Sequence, residues 1–61
     1  MNLNIDKDIL FSVINMKLRD FYSDLDDLIL SENIDKDILL EKFEEYGFTY
    51  NRDINQLKSL N

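Results

Sequence analysis

The sequence predicts a mainly α fold: a compact three-helix domain with helix-turn-helix-like helices 2 and 3 and a short C-terminal β-hairpin or extended tail, winged-helix-like in outline. Three observations carry this. The segment "NIDKDIL" occurs twice, at residues 4–10 and 33–39, each time ahead of apolar residues at helical spacing. The only glycine, Gly47, falls where a helix terminator belongs. Beyond it, Phe48 and Tyr50 flank a polar residue and lead into turn-forming ones.

The repeated segment reads as helix punctuation. Asp6 and Asp35 stand where an N-cap carboxylate accepts hydrogen bonds from the first turn. Ile5 with Leu10, and Ile34 with Leu39, occupy the two positions of a hydrophobic staple. Asp8 and Asp37 add negative charge where the helix dipole favours it. A calcium loop needs about six oxygen ligands around a sharp turn, usually at a glycine, and neither copy contains one. The repeat ends after these residues, so the whole chain, 1–61, is read as a single small domain.

Helix 1 is expected over about 7–21. Its apolar residues (Ile9, Leu10, Phe11, Val13, Ile14, Met16, Leu18, Phe21) cover more than half of the circumference, the mark of a central helix packed on two sides. Ser12, Asn15 and Arg19 form a narrow polar stripe, read as the solvent face. Helix 2, about 24–31, takes Ser23 as its N-cap, with Asp26 closing a short-armed capping box. Helix 3 covers about 36–46 and ends at Gly47; the hairpin or tail covers 48–60.

A chain near 60 residues buries only about 60% of its unfolded surface, so its stability margin is thin. With 44% hydrophobic residues it can still fill one core. The absence of Cys and His removes disulfides, thiol nucleophiles and imidazole chemistry, and leaves no expected metal or cofactor. The net charge of −6 argues against affinity built on neutralising phosphates and against anionic membrane surfaces. No apolar run nears the ~18 residues of a membrane span. The opening residues lack a basic region followed by an apolar stretch, so a cytoplasmic location is expected.

The stretches "LFSVINMKLRDFYSDLDDL" (10–28) and "GFTYNRDINQ" (47–56) together resemble the small bacterial domain-of-unknown-function 4250 family. That pattern has an Asp-Pro helix start, a serine, the run Asn-x-Lys-Leu-Arg-Asp and then Tyr-Ser-x-Leu-Asp. It ends in Tyr-x-Tyr followed by Asn-Gln and an aromatic residue. The matching positions are Asp6, Ser12, Asn15, Lys17, Leu18, Arg19, Asp20, Tyr22, Ser23, Leu25, Asp26, Tyr50, Asn55 and Gln56. Lys7 stands where the family often has Pro, Phe48 at the first tyrosine of Tyr-x-Tyr, and Leu57 at the late aromatic. The resemblance implies no activity.

Catalysis is not expected. Ser12 and Lys17, five positions apart on one helix, do not share a face, and a helical domain this small has little room for a pocket that tunes carboxylates. A helix-turn-helix nucleic-acid-binding regulator is the alternative reading. Its recognition helix would present Lys36, Asp37, Glu41, Lys42, Glu44 and Glu45, four acids against two lysines, to phosphate. A protein-interaction or self-associating module fits better, with an unknown protein partner or a homodimer. Its candidate residues are Phe11, Asn15, Lys17, Arg19, Phe21, Ile54 and Leu57, with Phe11 or Phe21 and the 54–60 tail as the dimer surface. Lys17, inside the apolar arc of helix 1, must snorkel or find a carboxylate, the nearest in prospect being an acid of helix 2.

Overall fold

The computed structural model describes residues 1–60. Three helices, α1 (Lys7–Asp20), α2 (Leu25–Ser31) and α3 (Lys36–Tyr46), precede an antiparallel hairpin of β1 (Phe48–Asn51) and β2 (Gln56–Ser59). The chain is therefore a mainly α three-helix domain, and its C-terminal part is a hairpin, not a tail.

Both copies of the repeated segment start a helix. The Asp6 carboxylate accepts the Asp8 N–H at 2.8 Å; that of Asp35 accepts the N–H groups of Asp37 and Ile38. Leu10 and Leu39 are fully buried, and Ile5 and Ile34 pack against the same core. Gly47 ends α3 at φ 75°, ψ 33°, with its N–H on the Phe43 and Glu44 carbonyls. This is the left-handed terminator that only a residue without Cβ adopts freely.

The start of α2 corrects the expected register. Its N-cap is Asp24, not Ser23: the Asp24 carbonyl accepts the first helical bond, from Leu28, and its carboxylate accepts the Asp27 N–H at 2.7 Å. Ser23 sits one residue outside and gives its N–H to the Asp27 carboxylate at 3.1 Å. Asp27, in place of Asp26, thus reaches back across the cap, but to the N–H one residue before it, so the pair is a box offset by one residue. The cause is tertiary. Burying Leu25, Leu28 and Ile29 together fixes the helix phase, and the Tyr50 hydroxyl accepts the Leu25 N–H at 3.3 Å.

Between α2 and α3 the chain turns through Asn33 at φ 54°. The Asn33 N–H returns to the Leu30 carbonyl and the Ile34 N–H to that of Ile29, the paired bonds of a Schellman motif with Asn in the left-handed place. Ile34 is thereby folded back over Ile29.

The core runs along one seam of α1, Leu10, Ile14 and Leu18, closed by Leu25, Leu28 and Ile29 of α2, Leu39 and Phe43 of α3, and Phe48 and Leu57 of the hairpin. α1 packs against both α2 and β2, the central position its composition suggests. Its apolar arc is nonetheless not sheathed all round: Ile9 is 54% exposed, and Phe21, which caps the helix instead of belonging to it as expected, is 68% exposed. Phe48 is the aromatic centre, with ring centroids 5.1 Å from Phe11, 5.9 Å from Tyr46 and 6.4 Å from Phe43.

The hairpin pairs Phe48 with Ser59, Thr49 with Lys58, Tyr50 with Leu57 and Asn51 with Gln56. The Leu60 N–H reaches the Gly47 carbonyl at 2.6 Å. Hydrogen-bonded pairs alternate in an antiparallel ladder, so they fall at Thr49–Lys58 and Asn51–Gln56. Phe48 and Tyr50 consequently turn their backbone groups to the outer edge of β1, and Leu57 turns its own toward α1.

Candidate functional site

The polar residues of α1 and the hairpin form one connected network. Asn15 projects from α1 onto the outer edge of β2: its Oδ1 accepts the Leu57 N–H at 2.6 Å and its Nδ2 donates to the Leu57 carbonyl at 3.2 Å. Gln56 Nε2 donates to the Asn15 carbonyl at 3.0 Å. Asn55, left-handed at φ 52° in the hairpin turn, donates from Nδ2 to the Leu18 and Tyr22 carbonyls at 2.9 and 3.0 Å. Leu18 lies in the last turn of α1, where carbonyls lack helical partners. A side chain of the hairpin thus caps the helix. Tyr50 completes the set, donating its hydroxyl to Asn55 Oδ1 at 2.7 Å while accepting from Leu25.

Asn15 therefore overturns the reading of its stripe as solvent face. Ser12 and Arg19 are exposed, but Asn15 is half-buried and committed to Leu57. An amide in place of a hydroxyl or charge makes the difference. It sets a donor group beside an acceptor group, the pattern that a strand edge presents in reverse.

Lys17 finds its carboxylate at the end of α2. Its Nζ lies 3.2 Å from Oε1 of Glu32, the residue that caps α2. The Tyr22 hydroxyl donates to the other oxygen, Oε2. The Tyr22 bond, followed by the Lys17 bond, holds the Glu32 carboxyl below its usual range; the same contact with Glu32 raises the Tyr22 phenol. These three groups tie the two ends of α1 and α2 together.

The remaining candidates divide between core and surface. Phe11 is half-buried against Phe48, and Leu57 is 3% exposed, so both belong to the fold. Arg19 is exposed and paired with its neighbour Asp20 at 3.0 Å, an arrangement worth little. Phe21 and Ile54 are exposed, and the Asn55–Tyr22 bond brings the residues next to them in sequence together. A groove of about 330 Å³ opens elsewhere, lined by Leu40, Phe43 and Glu44 of α3, residues 47–50 and Leu60. Sequence reasoning did not find it, because it lies between an element's flank and a strand edge that periodicity does not place. Glu32 and Asn55 were also missed as partners. Asn55 carried a signal, an Asn beside the hairpin where a left-handed residue is needed.

No curated protein and no solved structure matches the chain. Asn15, Lys17, Tyr22, Tyr50, Asn55 and Gln56, all engaged in the hydrogen bonds and ion pair above, are among the positions on which the sequence resemblance rests. They lie inside a match to one family model that spans residues 4–57 of the 61, and the chain belongs to that family, the Domain of unknown function (DUF4250).

Proposed function

We propose that this chain is a non-catalytic, acidic protein-interaction module of the cytoplasm. One observation carries the reading. Asn15, Tyr50, Asn55 and Gln56 are turned inward to hold the hairpin, while large apolar side chains remain outside. Leu30 is 82% exposed, Leu60 70%, Phe21 68% and Ile54 54%, and Leu40 and Leu60 border an open groove. Where such side chains join into a contiguous patch, apolar surface left after a core has closed marks contact with another molecule.

Against catalysis stand the absence of His and Cys and the commitment of the Glu32 carboxylate to both Lys17 and Tyr22. The nucleic-acid alternative loses support from α3. Its two lysines are engaged, Lys36 with Asp26 at 3.4 Å and Lys42 over the Tyr46 ring at 5.9 Å. Asp37, Glu41, Glu44 and Glu45 are left exposed, the wrong sign for phosphate.

Self-association is the second reading, favoured by the exposure of Phe21 and Ile54 next in sequence to the bonded pair Tyr22 and Asn55. Symmetric pairing is the commonest way for a small protein to cover such a patch. Affinity capture from the native cell with a tagged copy, run beside a light-scattering mass, tests both. A partner retained in stoichiometric amount supports the module, and a doubled mass abolished by Phe21→Ser supports the homodimer. A monomer that retains nothing beyond an unrelated acidic control contradicts both.

A further inference from the structure

The two edges of the hairpin are finished differently. On β2 the Leu57 backbone is closed by the Asn15 amide. On β1 the Tyr50 N–H and C=O point outward, and no described residue bonds either one. β1 reads Phe-Thr-Tyr-Asn, with neither a charge nor a proline. Those are the usual devices that keep an edge strand from pairing with another chain. Beside this edge lies the groove, and among the described residues that line it Glu44 alone is charged.

We propose that β1 is a docking edge: an extended segment of a partner protein adds to it as a third strand, placing an apolar side chain in the groove and a Lys or Arg against Glu44. This rests on the interaction-module reading and gives its partner a chemistry. In strand addition the backbone bonds supply affinity and alternate side chains supply specificity. Here the residue opposite Tyr50 takes both of its outward groups, and the next side chain along turns into the groove. At about 330 Å³ the groove sits at the small end of the ~300–1,000 Å³ of ligand sites. That suits one or two side chains and not a folded surface.

Charge selects the occupant. The chain carries a net −6, and Glu41 and Glu45 stand exposed on α3 beside Glu44. A second copy on this edge would bring acidic helices together, whereas a strand of apolar and basic residues is complementary.

The probe is a random peptide library displayed on phage and panned against the full chain. The selected peptides are then titrated against three forms: the parent, Glu44→Lys, and a chemically synthesised chain carrying N-methyl-Tyr50. The methyl group deletes the outward N–H and leaves the ladder and the phenol in place. Selected peptides should alternate apolar with polar residues, carry Lys or Arg, and shift the amides of residues 48–51. They should bind N-methyl-Tyr50 at least about tenfold more weakly, and Glu44→Lys should reverse the preference for basic peptides. If N-methyl-Tyr50 does not fold, the amide shifts and the Glu44→Lys reversal decide alone. Peptides that bind the methylated chain equally well, or that shift amides around Phe21 and Ile54, overturn strand addition and leave the module intact. A concentration-dependent dimer that protects the Tyr50 amide makes the occupant a second copy and overturns the basic partner. A library that yields no binder removes the module reading as well.

Discussion

The side-chain amide of Asn15 pairs with the backbone of Leu57 as a neighbouring strand would, accepting its N–H at 2.6 Å and donating to its carbonyl at 3.2 Å. A helix thereby docks on a strand edge through one residue. Asn15→Ala leaves both Leu57 groups without a protein partner, and a buried group left unmade costs about 1–3 kcal/mol. Partial access of water favours the lower half. Asn15→Asp should be at least as damaging, because it loses the donor and sets an oxygen against the Leu57 carbonyl. Urea unfolding of both variants measures this; a loss below about 0.5 kcal/mol would mean that the hairpin docks on its apolar face alone.

Asn55 separates backbone from side chain. At φ 52° it occupies a region that glycine enters freely and a Cβ-bearing residue enters at about 1–2 kcal/mol. Asn55→Gly therefore reports the loss of the bonds to Leu18, Tyr22 and Tyr50, and Asn55→Ala reports that loss plus the strain. Thermal melts should rank the parent above Gly and Gly above Ala. Equal melting of the two variants would contradict the left-handed turn.

The caps give a graded series. Asp35→Ala should cost about 0.5–2 kcal/mol, the range for a lost N-cap, and Asp37→Ala clearly less, since the Asp35 carboxylate alone bonds the first-turn N–H groups. Likewise Asp24→Ala should exceed Ser23→Ala. Equal losses within either pair, or a melting temperature of the parent that rises with calcium, would contradict the capping account.

Glu32 makes stability depend on pH at both extremes. Its carboxyl is held low by Tyr22 and Lys17, so the unfolded chain binds that proton first. The contribution is present above the ordinary carboxylate range and is lost as pH falls through the lowered value. The Tyr22 phenol is raised by Glu32, so its share is present below the ordinary phenol range and is lost as pH climbs through the raised value. Glu32→Gln should flatten the acid limb of a stability–pH curve, and Tyr22→Phe the alkaline limb. Limbs unchanged in both variants would show that the trio is not coupled to folding.

Much of the fold was legible because it rests on local chemistry. Asp6 and Asp35 before apolar runs, and Gly47 after one, announce helix ends whatever the rest of the chain does. Ser23 misled because serine and aspartate are equivalent caps locally. The choice fell to Leu25 and to Tyr50, twenty-five residues further on. Asn15 misled for the same reason. Nothing near it in sequence says that a strand edge will arrive from residue 57. The groove was the least legible feature, since it is made by Leu40, Gly47 and Leu60 from three separate segments.

Hydrogen exchange of the free chain, read amide by amide, tests the central claim most directly: one hairpin edge is sealed by Asn15 and the other is open for a partner. The Leu57 amide should exchange as slowly as the ladder amides of Thr49 and Asn51, and should lose that protection in Asn15→Ala. The Tyr50 amide, between those two in sequence, should exchange faster than either. A Tyr50 amide protected to the level of its neighbours in the monomer, or a Leu57 amide indifferent to Asn15, would contradict it.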